Sequence, residues 1–300
     1  MSRTITERPV QSEDDYRLMR GLLVDVLRHA GPPAYLTLGD LDWSRAVSDD
    51  AAVFRQSHLW FDGARLVAFA WPEEDSVETA LHPDYPALYE TVLAWAVGHY
   101  RNTTGDSEAV DFSTSAFSRD TVRNAALDRL GFRRSDMGRV VYGQRITGTT
   151  SPPKLPPGYA LRHVAGPAES EARATVQRAA FESDFMSAER HRRVCAMPTY
   201  RPELDIVAVA PDGELAAFAL VWLDQSNRLG VFEPLGVAVP HQRRGLGRAL
   251  MAEGVRRLAA FGATYACVAT GMLHDEARRL YEATGFELLD LSYNWVIPVK

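Results

Sequence analysis

The residues with the clearest chemical potential lie together at 242–248: Gln242, Arg243, Arg244, Gly245, Leu246, Gly247 and Arg248. They follow a strand-like run at 231–239 and open an amphipathic segment in which Leu246, Ala249, Leu250, Val255, Leu258 and Ala259 recur at helical spacing. Gly262 stands where such a helix stops. Without a Cβ, Gly245 and Gly247 let the backbone turn sharply and approach a ligand closely. The first N–H groups of a helix have no intrahelical acceptor, and with the helix dipole they form an anion site. Three arginines add permanent charge, so the predicted chemistry is a phosphate or pyrophosphate cradle. A dinucleotide turn would need a third glycine where Leu250 stands, and an acid about 20 residues further on, where 264–270 carries none. A nucleoside-triphosphate loop would end in Gly-Lys-Ser/Thr, which does not occur.

Other residues could carry chemistry or merely structure. Glu233 stands mid-strand among few other charges, so a raised pKa and a base role compete with a solvated or ion-paired face. Glu182 and Asp184, between Phe181 and Phe185, would suit a cationic amine or form a plain loop. Arg190, His191, Arg192 and Arg193 read as a solvated helix face, and His274 as a helix-start residue. Cys195 and Cys267 lack metal-ligand spacing and read as reduced thiols; no metal site is expected.

These residues need elements to hold them. The first half predicts a helix at 14–29, a hairpin of 57–61 and 66–71 about Asp62-Gly63, a strand at 76–81 and a helix at 88–100. A strand at 109–114, a helix at 120–130 and a strand at 140–146 follow. Residues 151–158 hold four prolines and a glycine, which no helix or central strand accepts, and read as a linker. The second half repeats the order: helices at 169–181 and 188–196, a hairpin of 205–210 and 215–223, the strand–turn–helix of 231–261, a strand at 264–270, a helix at 275–284 and a strand at 288–297. The halves look like degenerate copies, with Leu130-Gly131-Phe132 matching Thr284-Gly285-Phe286. Laying Leu81 on Val237 puts Pro86 on Gln242, Tyr89 on Gly245 and Thr91 on Gly247. The first half has thereby lost both turn glycines and should not cradle pyrophosphate.

Composition sets bounds. A chain of 300 residues suits one large or two ordinary domains, and 46% hydrophobic residues supply sizeable cores. A net charge of −6 argues against a general nucleic-acid binder. No apolar run reaches membrane-spanning length, and 1–10 carries no apolar signal segment, so a soluble, cytoplasmic protein is expected.

The turn resembles the acetyl-CoA loop of the GCN5-related N-acetyltransferases (GNAT), Gln/Arg-x-x-Gly-x-Gly/Ala after a strand. Two further stretches are similar to that family: Glu-Pro-Leu-Gly-Val at 233–237, and Ala277, Leu280, Tyr281, Gly285 and Phe286 in the pattern Ala-x-x-Leu-Tyr-x-x-x-Gly-Phe. The resemblance covers 159–300 and, more weakly, the first half. It implies an α/β fold of two tandem GNAT-like domains, each a mixed, mostly antiparallel sheet flanked by helices: a degenerate one at 1–150 and an acetyl-CoA-binding one at 159–300. Acetyl-CoA would enter a V-shaped opening beside the fourth strand. Backbone groups of Leu235, Gly236 and Val237 would hold the pantetheine arm and polarise the acetyl carbonyl. Amides of Arg243, Arg244, Gly245, Leu246, Gly247 and Arg248, with Gln242 and His274, would complete the cofactor site; the family usually has Asn at the place of His274. Tyr281 would protonate the leaving thiolate, and a base, directly or through water, would deliver the amine neutral, with Glu233 the candidate from its place in the strand. The loop of Glu182, Asp184 and Phe185 would cover the acceptor, a primary amine of a small molecule or peptide. The alternatives are an acyl-CoA sensor without turnover, a tandem scaffold acting through protein contacts, and an enzyme similar to the two-copy mycothiol synthases; the first copy would shape the acceptor pocket or a homodimer contact.

Overall fold

A computed structural model describes residues 4–49, 52–104, 110–148 and 151–299. Ala109, the start of a predicted strand, and residues 1–3, 149 and 150 of the predicted first domain lie outside the described residues. The first half runs β1 (Ile5–Pro9), α1 (Glu13–Ala30), α2 (Leu38–Val47), α3 (Ala52–Gln56), β2 (His58–Asp62), β3 (Arg65–Pro72), β4 (Val77–Leu81), α4 (Leu88–Thr104), β5 (Val110–Phe117), α5 (Thr121–Arg129) and β6 (Arg133–Arg145). The second runs β7 (Ala160–His163), α6 (Ser170–Phe181), α7 (Ala188–Cys195), β8 (Asp205–Val209), β9 (Leu215–Asp224), β10 (Leu229–Val237), α8 (Leu246–Ala260), β11 (Tyr265–Gly271), α9 (Asp275–Ala283) and β12 (Glu287–Val299). Helix ends fall on local signals: α1 starts after Ser12 with Glu13, Asp14 and Asp15 in its first turn and stops at Gly31, whose φ is 71°. The predictions missed α2, whose mixed Leu-Gly-Asp-Leu-Asp-Trp stretch has little apolar period. It is started instead by a capping box between Thr37 and Asp40.

Strands β1-β2-β3-β4 form one sheet and β5-β12-β6-β11-β10-β9-β8-β7 the other, with helices packed on their faces. Pairing is antiparallel in both ladders except for β10 with β11. The larger sheet interleaves the halves. β6, from the first half, lies between β11 and β12; β12, from the second, lies between β5 and β6. Each half thus donates its last strand to the other, and the side chains follow. Val140 and Tyr142 of β6 are buried in the second half's core, and Trp295 and Val299 of β12 in the first half's core.

A second seam joins α2 to the second half. Ala46, Trp43 and Val47 pack with Val194, Tyr200, Leu220 and Trp222, and Asp42, fully buried, accepts from the Thr199 N–H at 2.9 Å. Gly39 is required here: a Cβ would lie 2.3 Å from Cγ of the buried Trp222. Gly39→Ala is therefore expected to destabilise the protein by about 1–3 kcal/mol through overpacking, read as a lower urea midpoint; an unchanged midpoint would show that the seam yields freely.

One expectation is corrected. His191 is not on a solvated face; it is 2% exposed. Helical geometry turns it inward with Val194 while Arg190 and Arg193 reach Asp49 of the first half. Its ring meets Asp205 Oδ2 at 2.9 Å and Ser170 Oγ at 3.0 Å, and Arg173 donates to Asp205 Oδ1 at 2.9 Å. Although burial opposes it, Arg173 and His191 hold the Asp205 carboxyl below the usual carboxylate range. This enclosed network ties α6 and α7 to β8.

Candidate active site

The parallel pairing of β10 with β11 covers only Leu229 to Phe232 against Tyr265 to Val268. Beyond Phe232 the strands part. On its other edge β10 is irregular between Phe232 and Leu235, then pairs Leu235, Gly236 and Val237 with Ala219, Phe218 and Ala217 of β9. The β11-facing edge of 235–237 is thereby left without a ladder partner, as a strand that binds an extended ligand requires. Gly236 has a packing reason as well, since a Cβ there would lie 2.8 Å from that of Ala180.

The glycine turn follows. Gly245 caps α8 at φ 84°, and Arg243 is also left-handed at φ 61°. The first donor of the α8 ladder is Ala249, to Gly245 O at 3.0 Å. Among the described residues, no hydrogen bond occupies the N–H groups from Arg243 to Arg248. A Cβ on Gly245 would meet nothing within 4 Å, so its glycine serves the turn and the open face above it. A Cβ on Gly247 would come 3.1 Å from Leu280, where α8 packs on α9. Arg243, Arg244 and Arg248 are exposed; Arg243 pairs with Glu276 at 3.1 Å, and Gln242 donates to Val237 O at 3.2 Å. Exposed His274, at the start of α9, touches Thr270 Oγ1 at 3.3 Å. These groups can hold an extended anionic cofactor along one surface.

Where the strands part stand two ionisable side chains, Tyr281 and Glu233. The Tyr281 hydroxyl donates to Ala269 O at 3.4 Å and its ring packs edge-on against Tyr142. Burial, and next the nearby Glu233 charge, push the phenol up to about 12, so it stays protonated at neutral pH. Burial also raises the Glu233 carboxyl; Arg139 opposes this from 3.2 Å, and Asp40 adds a like charge. Glu233 lines two cavities. One, of about 240 Å³, is bounded by Phe181, Ser183, Phe185 and Trp43. The other, of about 150 Å³, lies between the halves and includes Asp40, Glu78, Arg139 and Ala269. Phe185 therefore shares a cavity with Glu233, whereas Glu182 and Asp184 are exposed and line neither.

Sequence reasoning missed Arg139, Asp40 and Glu78. Arg139 fell one residue outside the predicted strand at 140–146, and its meeting with Glu233 depends on β6 crossing into the other half's sheet. Cys267 also lines the interhalf cavity; burial pushes its thiol up to about 12, so it is not a nucleophile at neutral pH. In the first half, Tyr35 occupies the region between β4 and β5: its hydroxyl donates to Asp120 at 2.8 Å and accepts from Phe117 N at 3.0 Å.

Taken together, the mixed sheet opens between two parallel strands, with a glycine turn of free amides at one end and ionisable groups at the other. Residues 171–286 match the acetyltransferase (GNAT) family model. The chain is 36% identical over 111 residues to a mycothiol acetyltransferase of Kineococcus radiotolerans, a match that spans 36% of this chain and 36% of that protein. In fold it is similar to a GCN5-related N-acetyltransferase from Sphaerobacter thermophilus (TM-score 0.70, 17% identity, 99% and 96% of the two chains). It is also similar to a tandem GNAT protein from the clavulanic acid biosynthesis pathway (TM-score 0.67, 16% identity, 98% of each chain). Residues 171–286 are thus similar to the GNAT family, and the whole chain shares its fold with these two proteins. Among the described residues, no helix is long and apolar enough to cross a membrane, and no group of three or more His, Cys, Asp or Glu is placed to hold a metal ion.

Proposed function

We propose that this chain is an acetyl-CoA-dependent N-acetyltransferase that moves an acetyl group directly to a primary amine of a small molecule or peptide. The observation that carries this reading is the parting of β10 from β11, which places Glu233 and the Tyr281–Ala269 pair just beyond the last paired residues. Free amides of 243–248 with Arg243, Arg244 and Arg248 hold the pyrophosphate, and the unpaired edge of Leu235, Gly236 and Val237 holds the pantetheine arm. Gln242 and His274 border the same surface. Glu233, its carboxyl raised by burial, takes a proton from the acceptor ammonium, directly or through one water. The freed nitrogen attacks the thioester carbonyl carbon, the C–N bond forms and the C–S bond breaks. Tyr281 donates its phenolic proton to the thiolate, the proton taken by Glu233 restores the phenol through solvent, and the acylated nitrogen releases its second proton to solvent to leave the neutral amide. Phe185 borders the acceptor entrance, with Glu182 and Asp184 on the exposed loop beside it.

In this reading residues 1–150 are a GNAT-like domain without a cofactor loop, 151–158 the linker and 159–300 the cofactor domain, with last strands exchanged. Tyr35 in the first half's opening supports one cofactor site per chain. Titration calorimetry should give one CoA per chain, and Gly245→Val should abolish binding. A β-branched residue is strained at φ 84°, and its methyls would project over the open face of the turn. Two equivalent sites per chain would refute the assignment. The test of the reaction is acetyl-CoA-dependent thiol release over a panel of amines, aminoglycosides, amino acids and peptides. An acyl-CoA sensor would bind CoA and release no thiol with any of them. The identity to a mycothiol acetyltransferase favours one further arm, that relative's own acceptor.

A further inference from the structure

We infer that the first half selects the acceptor: Glu78, on β4, binds a second cationic group of an amine whose first nitrogen reacts at Glu233. This rests on the acetyl-transfer reading above. Glu78 and Glu233 come from different halves and line the same cavity of about 150 Å³. The other charged groups there are engaged. Arg139 pairs with Glu233 at 3.2 Å. Asp40 Oδ2 accepts from the N–H and the hydroxyl of Thr37, each at 2.6 Å. Arg123, whose charge also reaches Glu78, donates to Thr79 at 2.7 Å and Thr114 at 2.9 Å, and lies over the Tyr35 ring at 4.4 Å.

Glu78 has no hydrogen-bond or ion-pair partner among the described residues. Burial leads the causes that push its carboxyl up to about 7. Glu78 is half-buried in the cavity wall, and a carboxylate partly withdrawn from water without a partner suits a ligand that supplies the missing charge. The three carboxylates of the cavity outnumber its one guanidinium, which suits a cationic ligand and disfavours an anionic one. Val141, Leu229 and Val231 form an apolar wall, fit for an aliphatic spacer. The volume favours a compact molecule over a peptide. The chemical class is therefore a short aliphatic diamine: one nitrogen gives its proton to Glu233 and attacks, the other stays an ammonium on Glu78.

The test titrates the CoA-loaded protein with putrescine, butylamine and aminobutanol by calorimetry, in the natural chain and in Glu78→Gln and Glu78→Asp. Thermal melts confirm that each variant is folded. The natural chain is expected to bind putrescine about 10- to 100-fold more tightly than butylamine, the range for a hydrogen bond between charged groups. Glu78→Gln should erase that ratio and Glu78→Asp should keep part of it. Equal affinity for the diamine and the two monoamines, or a ratio that survives in folded Glu78→Gln, overturns the inference. Thiol release, measured alongside, separates the two claims. A diamine preference in binding with no thiol release from any amine removes the acetyl-transfer reading and leaves the Glu78 site standing. Thiol release at one efficiency for all three amines removes the Glu78 assignment and leaves the reaction standing.

Discussion

Tyr281→Phe is expected to lower acetyl-CoA-dependent thiol release roughly 10²–10⁴-fold, the usual loss when a general acid is removed. CoA affinity should scarcely change, because the contacts proposed for the phosphates and the pantetheine arm are backbone groups of 235–237 and 243–248. The substitution isolates the hydroxyl. The ring keeps its edge-on contact with Tyr142, and the bond of the hydroxyl to Ala269 O is long at 3.4 Å. Its loss should cost no more than about 1 kcal/mol of stability, so the variant should melt close to the natural chain. Burial that pushes the phenol up to about 12 keeps its proton in place across the neutral range. Near-normal turnover in a folded Tyr281→Phe would mean that the thiolate leaves unassisted or through water, and that the tyrosine serves packing alone.

The second large effect concerns the chain's division. Residues 151–300 produced alone are expected to lose the cooperative unfolding transition of the full chain and to fail to bind CoA. In the intact sheet β12 pairs with β5 on one side and β6 on the other, and both belong to the first half. Cut at 151, β12 has no partner and β11 loses its pairing from Tyr265–Arg145 to Gly271–Arg139. The second core loses Val140, Tyr142 and Ile146, while Trp295 and Val299 lose the core that covers them. At about 1.5–3 kcal/mol for each large apolar side chain, the loss is on the order of 10 kcal/mol. That equals the whole stability of an ordinary domain, about 5–15 kcal/mol. A monomeric fragment with a sharp melt and CoA binding like that of the full chain would show that the second half can repair its own sheet edge.

The strand–turn–helix of β10 and α8 was legible in the chain because its determinants are local. Gly245 is needed for a left-handed backbone at that one position, α8 follows from apolar residues three and four apart, and Gly262 ends it with φ 79°. The order of strands and helices in both halves was legible for the same reason: period, caps and breakers act within a few residues. Glu233 and Tyr281 were visible as types at suggestive places, but their environment was not. Nothing near residue 233 foretells that Arg139, 94 positions earlier, will lie 3.2 Å away. That contact exists because β6 leaves its own half and pairs with β11, a choice between sheet edges that local preference does not distinguish. His191 was misread because two arginines follow it and one precedes it; only the packing of α7 against α2 and α6 turns it onto Asp205. Glu78, in a short strand of the first half, had no sequence signal. Its place in the cavity with Glu233 depends on how the halves interleave, because an unpaired carboxylate gains meaning only from the walls that separate it from water.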